Sequence, residues 1–237
     1  MQQEVIQLQQ RAVDELVHKL KGNKQTLTFK SPTGSGKTFM MAGLMNKILS
    51  ENEKDDIIFL VSTLSKGELA KQNYEKFCQY KEQGIFNRLD PYLINTERSG
   101  EESVHIPVEH NVYVLPRDLY SKNGLLMQGP MEKFLFSIKF KDGGLSDNKR
   151  IILIKDECHQ ATSNIDEKIM NQCIKTINIS ATPKLSRGQV PDVEITNEEA
   201  VSAHLIKDVI LGNDEDTLED AIKKFQAIKL IMLLRQL

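Results

Sequence analysis

The segment Ser31-Pro32-Thr33-Gly34-Ser35-Gly36-Lys37-Thr38 sets two glycines, a lysine and a threonine in the order that phosphate chemistry needs. Glycines let the backbone curl until several N–H groups face phosphate oxygens, and a helix starting after the loop adds the positive end of its dipole. In that arrangement Lys37 reaches the β and γ phosphates of a nucleotide and Thr38 offers its hydroxyl to Mg2+, with Thr33, Gly34, Ser35 and Gly36 forming the cradle. The first position of the G-x-x-x-x-G-K-T pattern is Ser31 instead of glycine. A Gly-rich turn carrying a surface lysine is the plainer reading, but strand and helix signals flank the loop on both sides.

A second group supplies carboxylates. Asp156 and Glu157, followed by Cys158 and His159, come directly after an apolar run at residues 151–154. Phosphate-ester hydrolysis needs one carboxylate to hold the metal, usually through water, and one to polarise the attacking water. The first is assigned to Asp156 and the second to Glu157, with His159 lying between the nucleotide and the rest of the machinery. Acidic pairs are commonly solvated surface, so this assignment rests on the preceding strand and on the phosphate loop upstream. Lys155 is a basic residue where an apolar or acidic one is usual, and it reads either as an edge feature or as an extra phosphate contact. A third group, Ser180-Ala181-Thr182-Pro183, also follows a short apolar strand signal.

These groups need elements to hold them. Apolar residues between Val5 and Leu20 recur at helical spacing and stop at Gly22-Asn23. Strand signals follow at residues 26–29, 57–62, 111–115, 151–154, 176–179 and 193–195, and helical signals at 39–49 and 66–80. Residues 131–138 read as a helix or mixed segment, and another helix begins at about residue 217. The stretch 81–110 has no clear period and reads as a surface excursion. Strands alternating with helices imply an α/β fold, a mainly parallel sheet flanked by helices. Ligands on such sheets sit at the carboxyl ends of the strands, so the three marked segments are expected to converge on one edge.

Composition sets the bounds. The 237 residues are 40% hydrophobic and 27% charged, a globular balance, and no apolar run approaches the length that spans a bilayer. No membrane partner is expected, and the chain is expected in the cytoplasm. Cys78, Cys158 and Cys173 are scattered and read as reduced thiols, and His18, His105, His110 and His204 show no ligand spacing. A net charge of −2 gives no global attraction to nucleic acid, so any contact with it must be local.

Taken together and in this order, SPTGSGKT, DECH and SATP resemble motifs I, II and III of the superfamily-two helicases. Gln9, in LQQRAVDEL, is similar to the glutamine that reads adenine in many members, with Gln10 as the alternative, and FLVSTLSKGELAKQN is similar to motif Ia. Within the superfamily, DECH and the later DVEITNEEAVSAHLIKDVIL look most like the Res subunit of type III restriction enzymes. The resemblance covers nearly the whole chain. It implies a RecA-like P-loop lobe at residues 1–190, followed by an inter-lobe segment or the start of a second lobe at 191–237. It implies ATP and Mg2+ as cofactors, duplex DNA as substrate, and a modification methyltransferase subunit as partner. It also implies a second RecA-like lobe with arginine fingers and a nuclease domain, neither of which is in the sequence, so an N-terminal fragment with weak activity on its own is expected. By the same resemblance Ser180 and Thr182 couple hydrolysis to DNA movement; the plainer reading is a strand end closed by a Ser/Thr turn. Ser62-Thr63 and Leu115-Pro116-Arg117 are candidate contacts to the DNA backbone, or else ordinary loop residues.

Other functions compete with this one. A type I restriction motor subunit and an RNA helicase share the motifs. A small-molecule kinase would need the phosphate loop alone, and a nucleotide-binding module without turnover would need no second lobe.

Overall fold

The computed structural model describes residues 2–52, 57–63, 68–94, 106–117, 133–135, 150–157 and 169–206. The chain divides into two units, Met1–Ile206 and Lys207–Leu237, and the described residues all belong to the first. His159, most of the segment expected at 131–138 and the helix expected from about residue 217 lie outside the described residues.

The elements are α1 (Gln2–Leu20), β1 (Thr26–Lys30), α2 (Lys37–Glu51), β2 (Ile57–Thr63), α3 (Leu69–Glu82), β3 (Pro91–Leu93), β4 (Val112–Pro116), β5 (Arg150–Asp156), β6 (Lys175–Ser180), β7 (Val193–Glu194) and α4 (Asn197–Ser202). The strands form one sheet in the order β3-β4-β2-β5-β6-β1-β7, and every pair is parallel. Parallel strands need crossovers and leave both faces to be covered, which accounts for seven consecutive buried residues in β2.

Alternation along the strands sorts side chains between two cores. Ile57, Phe59 and Val61 of β2, Val112 and Val114 of β4, and Ile152 and Ile154 of β5 pack with α1, α2 and α3. The intervening Ile58, Leu60, Tyr113, Leu115, Ile151 and Leu153 pack on the opposite face with Phe134, Ile169 and Cys173. α2 contributes Met40, Met41, Leu44, Met45 and Ile48 to the first core, an apolar stripe at helical spacing. Gly43 packs against the Phe86 ring, from which a Cβ there would stand 3.4 Å.

The stretch expected as a surface excursion holds the edge strand β3, paired in register with β4 from Pro91 opposite Val112. Its periodicity is hidden because three residues are too few to alternate visibly. Pro91 is tolerated because an edge strand has one side free of ladder bonds. Asp90 anchors the strand, with its carboxylate accepting from Lys81 Nζ at 2.6 Å and meeting His110 Nδ1 at 2.7 Å.

Candidate functional site

Because the strands are parallel, the loops leaving β1, β2, β4, β5 and β6 emerge on one edge of the sheet. The phosphate loop leaves β1 at Ser31 and its fold is fixed by backbone and buried hydroxyls. Ser31 N–H donates to the Ser180 carbonyl at 3.2 Å, and the hydroxyls of Ser31 and Ser35, both fully buried, bond each other. Serine at position 31 therefore contributes a hydrogen bond that glycine there would lack. Gly34 and Gly36 both have φ of 81°, in the left-handed region that glycine enters without a Cβ clash, and Gly36 is the N-cap of α2. A Cβ on Gly36 would stand 2.5 Å from Gln9 Nε2. Thr33 and Gly34 form the exposed crest of the loop, and Ser35 N–H closes it from inside by donating to the Pro32 carbonyl at 3.3 Å.

Gln9, only 8% exposed, reaches up from α1 and donates from Nε2 to the Ser35 carbonyl at 3.0 Å. It braces the loop from beneath. Its neighbour Gln10 points elsewhere, to Asp14 at 2.7 Å on the exposed face of α1.

The carboxylates arrive from β5, two strands away. Asp156 is the last residue of the strand, and Glu157 turns the chain with φ of 54°, a left-handed conformation that costs a non-glycine residue about 1–2 kcal/mol. Lys37 Nζ lies 3.8 Å from Glu157 Oε1 and donates to the Pro32 carbonyl at 3.3 Å. Asn73 of α3 joins the remaining pair: Thr38 Oγ1 donates to Asn73 Oδ1 at 3.1 Å, and Asn73 Nδ2 donates to Asp156 Oδ2 at 3.0 Å. Burial pushes the Asp156 carboxyl above its ordinary range; the Asn73 hydrogen bond and the Lys37 charge pull it back, and Glu157 adds to the rise. A cavity of about 630 Å³ opens here, lined among others by Gly34, Gly36, Lys37, Thr38, Asp156 and Glu157.

Asn73 was missed in the sequence, although a signal was present. It stands at the i+3 position of the buried stripe Ala70, Asn73, Phe77, where an apolar residue is expected. Lys155 is 4% exposed and pairs in register between Ser62 and Asn178. Alternation puts it on the face of Leu153, opposite that of Ile154 and α2, so its side chain is on the other side of the sheet from the phosphate loop.

At the end of β6, Ser180 Oγ accepts from Thr182 N–H at 3.1 Å, the Ser/Thr turn that the sequence offers as the plainer reading, while the Ser180 carbonyl binds the phosphate loop. At the ends of β2 and β4, Thr63 and Pro116 are register partners. Thr63 Oγ1 and the three guanidinium nitrogens of Arg117 are buried without a hydrogen-bond partner among the described residues.

Among solved structures, the UvsW helicase from bacteriophage T4 is similar with TM-score 0.41 and 17% identity, over 72% of this chain and 51% of that one. A second T4 UvsW structure gives 0.45 and 18%, over 72% and 29%. A nuclease-deletion mutant of the type ISP restriction-modification enzyme LlaGI, in complex with a DNA substrate mimic, gives 0.47 and 18%, over 83% and 20%. This chain thus spans about half of the first of these proteins and a fifth of the last. No curated protein sequence matches it. The sequence profile of the type III restriction enzyme, res subunit, matches residues 2–185. With that match spanning most of the chain, and with a parallel sheet carrying a phosphate loop and an acidic pair at its carboxyl edge, the protein belongs to the type III restriction enzyme res subunit family.

Proposed function

We propose that this chain is the ATP-binding and hydrolysing motor lobe of a DNA-dependent, helicase-like translocase, and that it serves as the Res subunit of a type III restriction endonuclease. The observation that carries the reading is the meeting of the phosphate loop with Asp156 and Glu157 across the sheet edge, closed by the Lys37–Glu157 approach of 3.8 Å. Amides from Thr33 to Lys37 cradle the triphosphate, and Lys37 holds its β and γ oxygens. Glu157 orients a water in line with the γ phosphorus and takes its proton as the bond to the ADP oxygen breaks, giving ADP and phosphate. Lys37 faces Glu157 across 3.8 Å. Once Lys37 turns to the phosphates, Glu157 is left for the water.

Magnesium fits the donor set. Asp156 is a buried carboxylate, and the Thr38 hydroxyl is tied to it through one amide, which suits a small, hard, oxygen-seeking cation beside an open glycine loop. Thr38 and Asp156 would hold the ion, which neutralises charge on the phosphates. Gln9 keeps one N–H and its carbonyl oxygen for the adenine edge while bracing Ser35. The Ser31–Ser180 bond ties the phosphate loop to the segment that we assign, with Thr182 and His159, to coupling hydrolysis with movement.

Thr63 at the end of β2 and Arg117 just past β4 are proposed to meet the backbone of duplex DNA, by their place at the sheet edge that carries the phosphate loop. The methyltransferase subunit, a second RecA-like lobe with a nuclease domain, and an inter-lobe role for residues 191–237 belong to the same proposal, as does a cytoplasmic setting. No helix among the described residues is long and apolar enough to cross a membrane.

Phosphate release from Mg·ATP, with and without duplex DNA, tests the reading. DNA should stimulate release, and Glu157→Gln should reduce it by roughly 100-fold or more while nucleotide binding persists. Stimulation by RNA alone would select an RNA helicase, transfer to a metabolite would select a kinase, and absence of nucleotide binding would refute the site.

A further inference from the structure

We infer that Asn73 is a positioning residue for the metal of this site, setting the proton of Thr38 and the orientation of Asp156 so that both present lone pairs to one cation. The inference rests on the nucleotide reading above and extends it to a residue on a third element, α3. An ionised carboxylate only accepts hydrogen bonds, so the amide group facing Asp156 Oδ2 at 3.0 Å must be Nδ2. That leaves Oδ1 for Thr38, and an amide oxygen only accepts, so the Thr38 hydroxyl must donate to it across 3.1 Å. With its hydrogen committed to Asn73, the Thr38 oxygen keeps its lone pairs for an incoming ion. One oxygen of Asp156 is likewise fixed by Asn73, which turns the carboxylate and holds it.

The geometry has the stiffness such a role requires. Asn73 is 6% exposed, and on its helix Ala70 and Phe77, one turn before and one turn after it on the same stripe, are buried in the core under β2 and β4. A planar amide held there has few rotamers, so both hydrogen bonds are fixed together before nucleotide binds. Outer partners that orient metal ligands are commonly worth 10- to 100-fold in metal affinity. Thr38 stands in the first turn of α2 and Asp156 closes β5, so without Asn73 no described hydrogen bond would link the two.

The test separates orientation of the metal ligands from general support of the fold. Binding of a fluorescent ADP analogue is titrated in Mg2+ and in EDTA, and the ratio of the two dissociation constants is compared between variants. Asn73→Leu, close in volume and without the amide, is expected to reduce that ratio by about 10-fold or more, with affinity in EDTA within about twofold of wild type. Lys71→Ala, on the exposed face of the same helix, should leave both constants unchanged. Circular dichroism reports folding, and if Asn73→Leu does not fold, Asn73→Ala is read in its place. An unchanged ratio in a folded variant, or an equal loss of affinity in both buffers, overturns the inference. A wild-type chain that binds no nucleotide in either buffer overturns the proposed function and the inference with it.

Discussion

At the scale of a single residue, Asp156 carries a buried carboxylate at the sheet edge beside the phosphate loop. Its carboxylate is 8% exposed, and burial, first among the causes, raises its proton affinity. An acid whose folded pKa stands above its unfolded value stabilises the fold most at low pH, and that contribution is lost as pH climbs from the unfolded value upward. At neutral pH the buried charge is therefore a cost that a bound metal would relieve. Asp156→Asn removes the charge and keeps an acceptor for Asn73. In EDTA at pH 7 its Tm should exceed that of wild type, by about 2–4 °C for each kcal/mol relieved in a chain this size. The gap should close on acidification below the ordinary carboxyl range, toward pH ~3, where Asp156 is largely protonated in both states. A lower Tm at pH 7 would count against this account. Glu157, in its left-handed turn beside Asp156, carries strain at the same place.

Three helices converge on the phosphate loop at the scale of elements. α1 braces it through Gln9, α2 begins from it, and α3 inserts Asn73 beside it. α4 comes in from behind: Ile206, just beyond it, lies so that its Cγ2 would be 3.7 Å from a Cβ on Gly34. The short helix is set by a capping box, in which Thr196 Oγ1 accepts from Glu199 N–H at 3.1 Å and Thr196 N–H donates to Glu199 at 3.0 Å. Arg11 of α1 then pairs with the Glu199 carboxylate. Thr196→Ala should cost about 1 kcal/mol, a fall in Tm of roughly 2–4 °C. Nucleotide affinity should stay near wild type, since the cap does not touch the loop's donors. A thermal melt beside a nucleotide titration checks both, and an unchanged Tm would show that the cap is not what holds the helix.

For the molecule as a whole, charge is the limiting fact. A net charge of −2 supplies no field that would draw in a polyanion, so the DNA contact proposed above must be local. The parallel sheet brings the ends of β2 and β4 to the edge that holds the phosphate loop, with Arg117 just past β4. Each phosphate neutralised on duplex DNA contributes about 0.9 to the slope of log affinity against log salt. Arg117→Ala should therefore lower duplex affinity regardless of sequence and reduce the slope by about 0.9, as read from binding isotherms at several salt concentrations. An unchanged slope would remove Arg117 from the DNA surface.

Sequence alone determined the phosphate loop, the acidic pair and the alternation of strands and helices, because each is a local pattern. Gly34 to Thr38 identify themselves by residue type and spacing, and β2 and β5 by nearly unbroken apolar runs. Tertiary structure decided what depends on neighbours distant in the chain. The edge strand β3 exists because β4 offers it a ladder, not because three residues have a period of their own. Lys155, adjacent to Asp156, faces away from the phosphate loop because successive strand residues point to opposite sides of the sheet. Asn73, 35 residues from Thr38 and 83 from Asp156, joins the site only through the packing of α3 beside α2, a contact that no local spacing encodes.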